Sequence, residues 1–507
     1  MNENFIKGIM KETNETLTEN GAIAYKTTNS ALLDMFAVIG ALRNRPSEEI
    51  INKFTKAFAE DQLLAMKMLF YARNIRGGLG EKRTFRILIN YMAKYHADVM
   101  RKNIDLIPIF GRWDDLYELV GTELEDDAFE VINNQLANDL VLLKRGKPIS
   151  LLAKWLHSTS GVSHKSMKLG KLTAKKLHLS YKEYRQILSK LRKELNIVER
   201  NMSANEWNKI AYSEVPSLAM KKYRNAFKEH NLIEFKEYIE KVKTGEEKIN
   251  AKTLYPYNIL EAGELMTFWR TDTLGLTKWD EVLEEQWKAL PNYVEGENNI
   301  LVMADTSGSM QGRPLCTSVG LAIYFAERNQ GPWHNKFLTF ASKPSFIDLK
   351  GTNLQEKVSC IPNIIDNTNI EAAFELVLET ALRNNLSQAD MPKAIIIISD
   401  MEFDNAQDDR IVSRYDNREK VIAKRNKLMD EIAYKFQQNG YVIPKIIYWN
   451  ADSRNDTYHA ISENKNVAMV SGQSVSTFRT VLMAIDENPY DTMLKTLEDP
   501  MYDIVKI

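Results

Sequence analysis

Apolar residues in the first 290 positions recur every three or four places. Ile50, Ile51, Phe54, Phe58, Leu63, Leu64 and Met68 share one such stripe, which predicts a long amphipathic helix. Similar stripes continue with short polar connections, and strand-like alternation is almost absent. Ser180-Tyr181-Lys182-Glu183 and Ser203-Ala204-Asn205-Glu206 match the S-x-x-E box, in which serine and glutamate satisfy amides that a helix start leaves unpaired. Pro216 and Gly77-Gly78-Leu79-Gly80 punctuate the pattern. Roughly a dozen helices joined this way describe an irregular helical-repeat solenoid better than a compact bundle.

The period changes after a linker at 291–297. Short uninterrupted apolar runs at 300–304, 336–340, 394–398, 442–448 and 467–470 read as strands. Helical patterns at 314–328, 370–383, 419–438 and 474–482 separate them. Apolar strands alternating with helices imply a parallel sheet covered on both faces. The expected fold is therefore multidomain: an all-α helical repeat over 1–290, then a doubly wound α/β domain over 298–507. Sheets of this kind take ligands beyond the carboxyl ends of their strands.

Composition narrows the function. The 507 residues are 44% hydrophobic and 27% charged, as in globular proteins. No run approaches the ~20 apolar residues that cross a bilayer, and the first residues lack a leader pattern, so no membrane role is expected. Two cysteines, Cys316 and Cys360, fit a reducing cytoplasm and argue against structural zinc. The net charge of −1 hides an asymmetry. Residues 295–507 carry 22 Lys and Arg against 29 acids, leaving the first part basic. The interval 144–193 holds 14 Lys and Arg and one acid, Glu183, a density suited to a polyanion.

The apolar run 300–304 ends in Asp305-Thr306-Ser307-Gly308-Ser309, a D-x-S-x-S loop at the expected carboxyl edge. Thr368 stands just before the helix at 370, and Asp400 closes the run Ala394-Ile395-Ile396-Ile397-Ile398-Ser399. Such hard oxygen donors suit Mg²⁺ first, with Mn²⁺ or Ca²⁺ also possible, and not zinc or copper. The plainer alternative is that the acids end strands and the serines cap the next helix. Taken together, the three elements resemble a von Willebrand factor A domain with its metal-ion-dependent adhesion site. That resemblance implies that Ser307 and Ser309 hold the ion directly, and that Thr368 does so directly or through water. Asp305 and Asp400 would act mostly through water, leaving the ion in need of an outside anion. Glycine usually follows the closing acid in that family, whereas here Met401-Glu402-Phe403-Asp404 follows, adding acids able to fill the open position. These acids also raise a metal-dependent nuclease, but no catalytic base stands in these loops.

A helical repeat followed by such a domain resembles the TROVE-module proteins of the Ro autoantigen type, whose HEAT-like helices form a ring closed by the A domain. In the helical part the resemblance rests on Asn74-Ile75-Arg76-Gly77-Gly78-Leu79-Gly80-Glu81-Lys82-Arg83. Phe110-Gly111-Arg112-Trp113-Asp114-Asp115-Leu116 and Leu152-Ala153-Lys154-Trp155-Leu156 look closer still to a sister family of the same layout. The Ro-type resemblance implies binding of small structured RNAs or single-stranded RNA ends, and the protein is expected to be non-enzymatic, monomeric and cytoplasmic. The residues give separate support. Lys144, Arg145, Lys165, Lys168, Lys171, Lys175, Lys176, Lys182 and Arg185 are candidate RNA contacts, and Lys168, Lys171 and Lys175 share one helical face. The polar loop 158–163 is placed to follow an RNA strand, and Trp113 and Trp155 offer stacking surfaces, although core packing is the commoner role of tryptophan. The competing reading is a metal-dependent protein scaffold without RNA.

Overall fold

The computed structural model describes residues 14–20, 23–161, 163–266, 272–294, 300–339, 343–363, 370–403, 432–462, 464–474, 477, 480–481 and 487–507. It divides into two units, Ser47–Thr253 with Asp499–Ile507, and Met1–Pro46 with Leu254–Glu498. The expected border near Pro291 thus falls inside the second unit. Helical periodicity does run on to residue 290, but the helix Pro256–Ala262 packs on the helix Arg313–Arg328 of the α/β part. That contact is close: a Cβ on Gly320 would stand 3.0 Å from the Pro256 Cβ. Trp287 Nε1 donates to Glu327 at 3.1 Å, and the Tyr293 amide donates to the Tyr324 hydroxyl at 3.0 Å.

The first unit is helical. The stripe from Ile50 to Met68 is two helices, Ser47–Glu60 and Gln62–Arg73, and not one. Asp61 makes the break: its backbone is extended and its carboxylate accepts the Leu64 amide at 2.8 Å. A short acid prefers capping to a helix interior, where it competes with the backbone. The box at Ser180 forms with both bonds, at 2.9 and 3.2 Å, and opens the helix Tyr181–Glu194. The box at Ser203 does not form. Ser203 ends the helix Val198–Ser203, and its hydroxyl donates to Glu199 O inside that helix at 2.7 Å. Phe54, Phe70, Phe85, Tyr184, Phe227 and Phe235 are fully buried.

Charge is also buried in this unit. Asp115, wholly inaccessible, accepts from Arg73 Nε at 2.8 Å, Arg86 Nε at 2.6 Å and the Arg112 amide at 3.0 Å. Arg86 and Arg112 each also bind Asp114. The segment Asp499–Ile507 closes the same unit: Tyr502 stacks on Phe110 at 5.5 Å, and Asn103 pairs with both backbone groups of Lys506.

The second unit contains two short hairpins, β1 (Glu15–Leu17) with β2 (Ile23–Tyr25) and β3 (Leu265–Met266) with β4 (Gly275–Leu276). Its centre is a six-stranded sheet of β5 (Ile300–Ala304), β6 (Lys336–Thr339), β7 (Phe346–Asp348), β8 (Ala394–Ser399), β9 (Lys445–Asn450) and β10 (Val467–Ser471). The order is β10-β9-β8-β5-β6-β7, parallel except for antiparallel β7. The sheet is therefore mixed where an all-parallel one was expected. At three residues, β7 is too short to show a period. Every residue of β5, β8 and β9 is buried, as strands covered on both faces require. Chain order reverses between β5 and β8, so the crevice beyond their carboxyl ends is the natural ligand position. Among the described residues no helix is long and apolar enough to cross a membrane.

Candidate metal centre and basic face

Asp305 follows β5 and Asp400 follows β8, and each is 2% exposed. The backbone places them on either side of the switch point. Asp305 Oδ1 accepts the Ser307 amide at 2.9 Å, which curls the loop, and its Oδ2 accepts the Ser399 hydroxyl at 2.6 Å. Burial, reinforced by the charge of Asp400, pushes the Asp305 carboxyl up to about 6. A carboxyl raised in this way gains from a cation nearby. The Ser307 and Ser309 hydroxyl oxygens lie 3.0 Å apart. Two adjacent ligands on an octahedral ion with ~2.1 Å bonds are separated by about the same distance, so the serine pair fits a small hard cation. Thr368 and Asp404 lie outside the described residues. Among those described, no group of three or more His, Cys, Asp and Glu side chains gathers as for a metal. The candidate set here is two carboxylates and two hydroxyls.

One residue of this site escaped the sequence analysis. Arg454, in the loop after β9, pairs through Nη2 with Asp400 Oδ2 and donates to Ser309 O at 3.0 Å. Its Nη1 stands 3.7 Å from Glu19. The signal was available: Asp452-Ser453-Arg454-Asn455-Asp456 is a polar loop after an apolar strand at the same sheet edge. Glu402, expected to be a possible ion ligand, is occupied elsewhere. Its Oε2 accepts the Glu19 amide at 2.6 Å, and its Oε1 accepts Asn455 Nδ2 at 3.1 Å and Thr457 Oγ1 at 3.5 Å. With Thr18 Oγ1 on Phe403 O at 2.7 Å, these bonds fasten the turn between β1 and β2 over the loop after β8.

The basic candidates lie in the helical unit. Lys144 ends the helix Glu125–Lys144, and Arg145 follows it. Lys165, Lys168, Lys171, Lys175 and Lys176 belong to the helix His164–Lys176, and Lys182 and Arg185 to Tyr181–Glu194. All but Lys176 are exposed. Lys176 is half-buried and held by Glu125 at 2.7 Å and Asp126 at 2.5 Å, so its charge is already neutralised. Lys165, Lys168, Lys171 and Lys175 form no ion pair among the described residues.

The loop before that helix is pinned. Arg192 donates to Ala153 O at 2.8 Å, Leu156 O at 2.7 Å and Ser158 Oγ at 3.0 Å, while Tyr184 holds His157 O at 2.9 Å. Trp155 and Trp113 are half-buried, and the Arg112 guanidinium lies 4.0 Å from the Trp155 ring centre, covering the face expected to stack on bases.

In class, this is a helical array joined to an α/β unit whose sheet edge gathers carboxylates and hydroxyls. A family model described as domain of unknown function DUF2828 matches residues 18–147 and 149–299, more than half of the chain, and the chain belongs to that family. A second model, domain of unknown function DUF7788, matches 299–500. The chain is also similar to uncharacterized protein L728 of Acanthamoeba polyphaga mimivirus, with 29% identity over 534 residues covering 96% of this chain and 87% of that one.

Proposed function

We propose that this chain is a non-enzymatic RNA-binding protein of Ro-like layout, monomeric and cytoplasmic. Its HEAT-like helical array binds small structured RNA or single-stranded RNA ends, and its α/β unit is a von Willebrand A-type domain. The observation that carries the reading is the helix His164–Lys176, which exposes four lysines with no acidic partner among the described residues while burying Gly170, Thr173 and Ala174. Unpaired cations at helical spacing are arranged for a phosphate backbone, where each neutralised phosphate releases a counterion.

The α/β unit supplies the second function. Ser307 and Ser309 would hold a divalent ion, Mg²⁺ before Mn²⁺ or Ca²⁺, with Asp305 and Asp400 neutralising it and Thr368 as a further ligand. Such an ion supplies a docking point for an anionic group of a partner, an acidic protein side chain or a phosphate. With the Glu402 carboxylate bonded to Glu19, Asn455 and Thr457, that acid does not compete for the open position.

The test is to sequence the nucleic acid retained after gentle purification. RNA should accompany the native protein and be lost when Lys168, Lys171 and Lys175 are all reversed to Glu. A protein that carries no RNA, but loses a protein partner on chelation or in Asp305→Ala, is a scaffold, and the RNA reading fails. Magnesium-dependent cleavage abolished by Asp400→Ala would instead make it a nuclease.

A further inference from the structure

A second surface of the helical unit, basic and aromatic together, is a groove lined by none of the lysines just described. The helices Ser47–Glu60 and Lys82–Tyr95 border a cavity of about 750 Å³, within the usual size of small-molecule sites. Residues four apart on a helix stack along one face. One row of the second helix therefore carries Lys82, Arg86 and Lys94, and the adjacent row runs from Arg83 to Tyr91 and Tyr95. Thirteen steps of about 1.5 Å make the groove roughly 20 Å long, basic along its length and aromatic at one end.

The groups in it are not equivalent. Arg86 is consumed by Asp114, Asp115 and Glu118, which fixes it in the wall and neutralises Glu118, the acid of the lining. Lys94 is exposed and forms no ion pair among the described residues. Lys82, 46% exposed, reaches Asp114 only at 3.9 Å. Burial first, then the neighbouring Arg112 and Arg86, lowers the pKa of Lys82, a strain that a bound anion relieves. Tyr91 is anchored, its hydroxyl 3.1 Å from that of Thr55. Tyr95 is 70% exposed, with its ring centre 5.0 Å from that of Tyr91. A large ring left open to water at the end of a cationic groove is a platform for a planar base.

We infer that this groove binds a planar base joined to two or more phosphates, the base against Tyr95 and the phosphates along the row of Lys94 and Lys82. A nucleoside triphosphate and a short single strand share that chemistry. The site uses none of the residues of the lysine face, so it stands or falls separately from the function proposed above.

The test titrates the full chain, in a chelator that removes divalent ions, with ATP, adenosine, tripolyphosphate and an oligoadenylate of eight nucleotides. ATP or the oligonucleotide should bind at least about tenfold tighter than adenosine or tripolyphosphate, the scale of one stacked base. Binding by ATP identifies the free nucleotide as the ligand; binding by the oligonucleotide alone identifies the strand when Tyr95→Ala weakens it and Lys168→Glu with Lys171→Glu does not. Tyr95→Ala and Lys94→Glu should each weaken binding at least about tenfold at an unchanged melting temperature, because both side chains are exposed. Lys168→Glu with Lys171→Glu should leave ATP binding intact. The inference is overturned if no probe binds at millimolar concentration, if adenosine binds as tightly as ATP, or if both groove variants bind like the native protein.

Discussion

Replacing Arg454 with alanine should tighten magnesium binding at the D-x-S-x-S loop. The guanidinium pairs with the Asp400 carboxylate and with Ser309 O, so an incoming ion that draws on Asp400 must first displace it. A hydrogen bond to a charged group contributes about 1.5–3 kcal/mol when protected from water. Arg454 is 34% exposed, and solvent screening reduces the figure to about 1–2 kcal/mol. Removing that competition corresponds to an affinity gain of about five- to thirtyfold. Calorimetric titration of MgCl₂ into the native protein and Arg454→Ala measures it, with Asp305→Ala as the variant expected not to bind. Equal or weaker binding by Arg454→Ala would refute the reasoning, since the arginine would then be supporting the ion's ligands and not competing with the ion.

Two further outcomes concern the helical unit. Asp115→Ala strands Arg73, which is 3% exposed, without its counter-charge, and should cost about 3–5 kcal/mol in urea denaturation. Asp127→Ala, which removes a surface pair with Arg101, should cost less than about 1 kcal/mol; similar losses in the two variants would contradict the buried-network account. Burial lowers the pKa of His157, whose Nδ1 lies 2.8 Å from Ser166 Oγ. The unfolded chain then takes up its proton first as pH falls through about 6.5, so this contribution to stability is full above that pH and lost below it. Melting curves between about pH 7.5 and pH 5.5 should show a smaller acid-induced drop in His157→Gln than in the native protein, and equal drops would exclude His157 as a source.

What could be read in advance follows from the range of the interactions involved. The strand Ile300–Ala304 and the helix Ile370–Arg383 match their expected limits because unbroken burial and a full amphipathic period are local signals. Asp61 was misread because an apolar stripe can pass through a one-residue break without losing phase. The grouping of residues 254–294 with the sheet was not legible, since a helix buried on a sheet-covering helix has the same period as one in a solenoid. Within the candidate site, Asp305, Ser307, Ser309 and Asp400 stood out because spacing along the strand ends identifies them. Arg454 is 54 residues from Asp400, and only the order β8-β9 brings its loop to the same edge. The division among the lysines was equally hidden. Lys175 and Lys176 are adjacent, yet a turn of about 100° directs one to solvent and the other to Glu125 and Asp126.

That last difference gives the most direct test of the RNA-binding claim. The affinity for a single-stranded RNA should be measured as a function of salt for the native protein, for Lys176→Ala, and for Lys168, Lys171 and Lys175 all changed to Ala. Each lysine that meets a phosphate of a single strand adds about 0.7 to the log–log slope, so the triple variant should lose about 2 units. Lys176→Ala, already paired with two acids, should keep the native slope. A triple variant with the native slope, or a Lys176→Ala variant that falls as far, would contradict the assignment of the exposed lysine face to RNA.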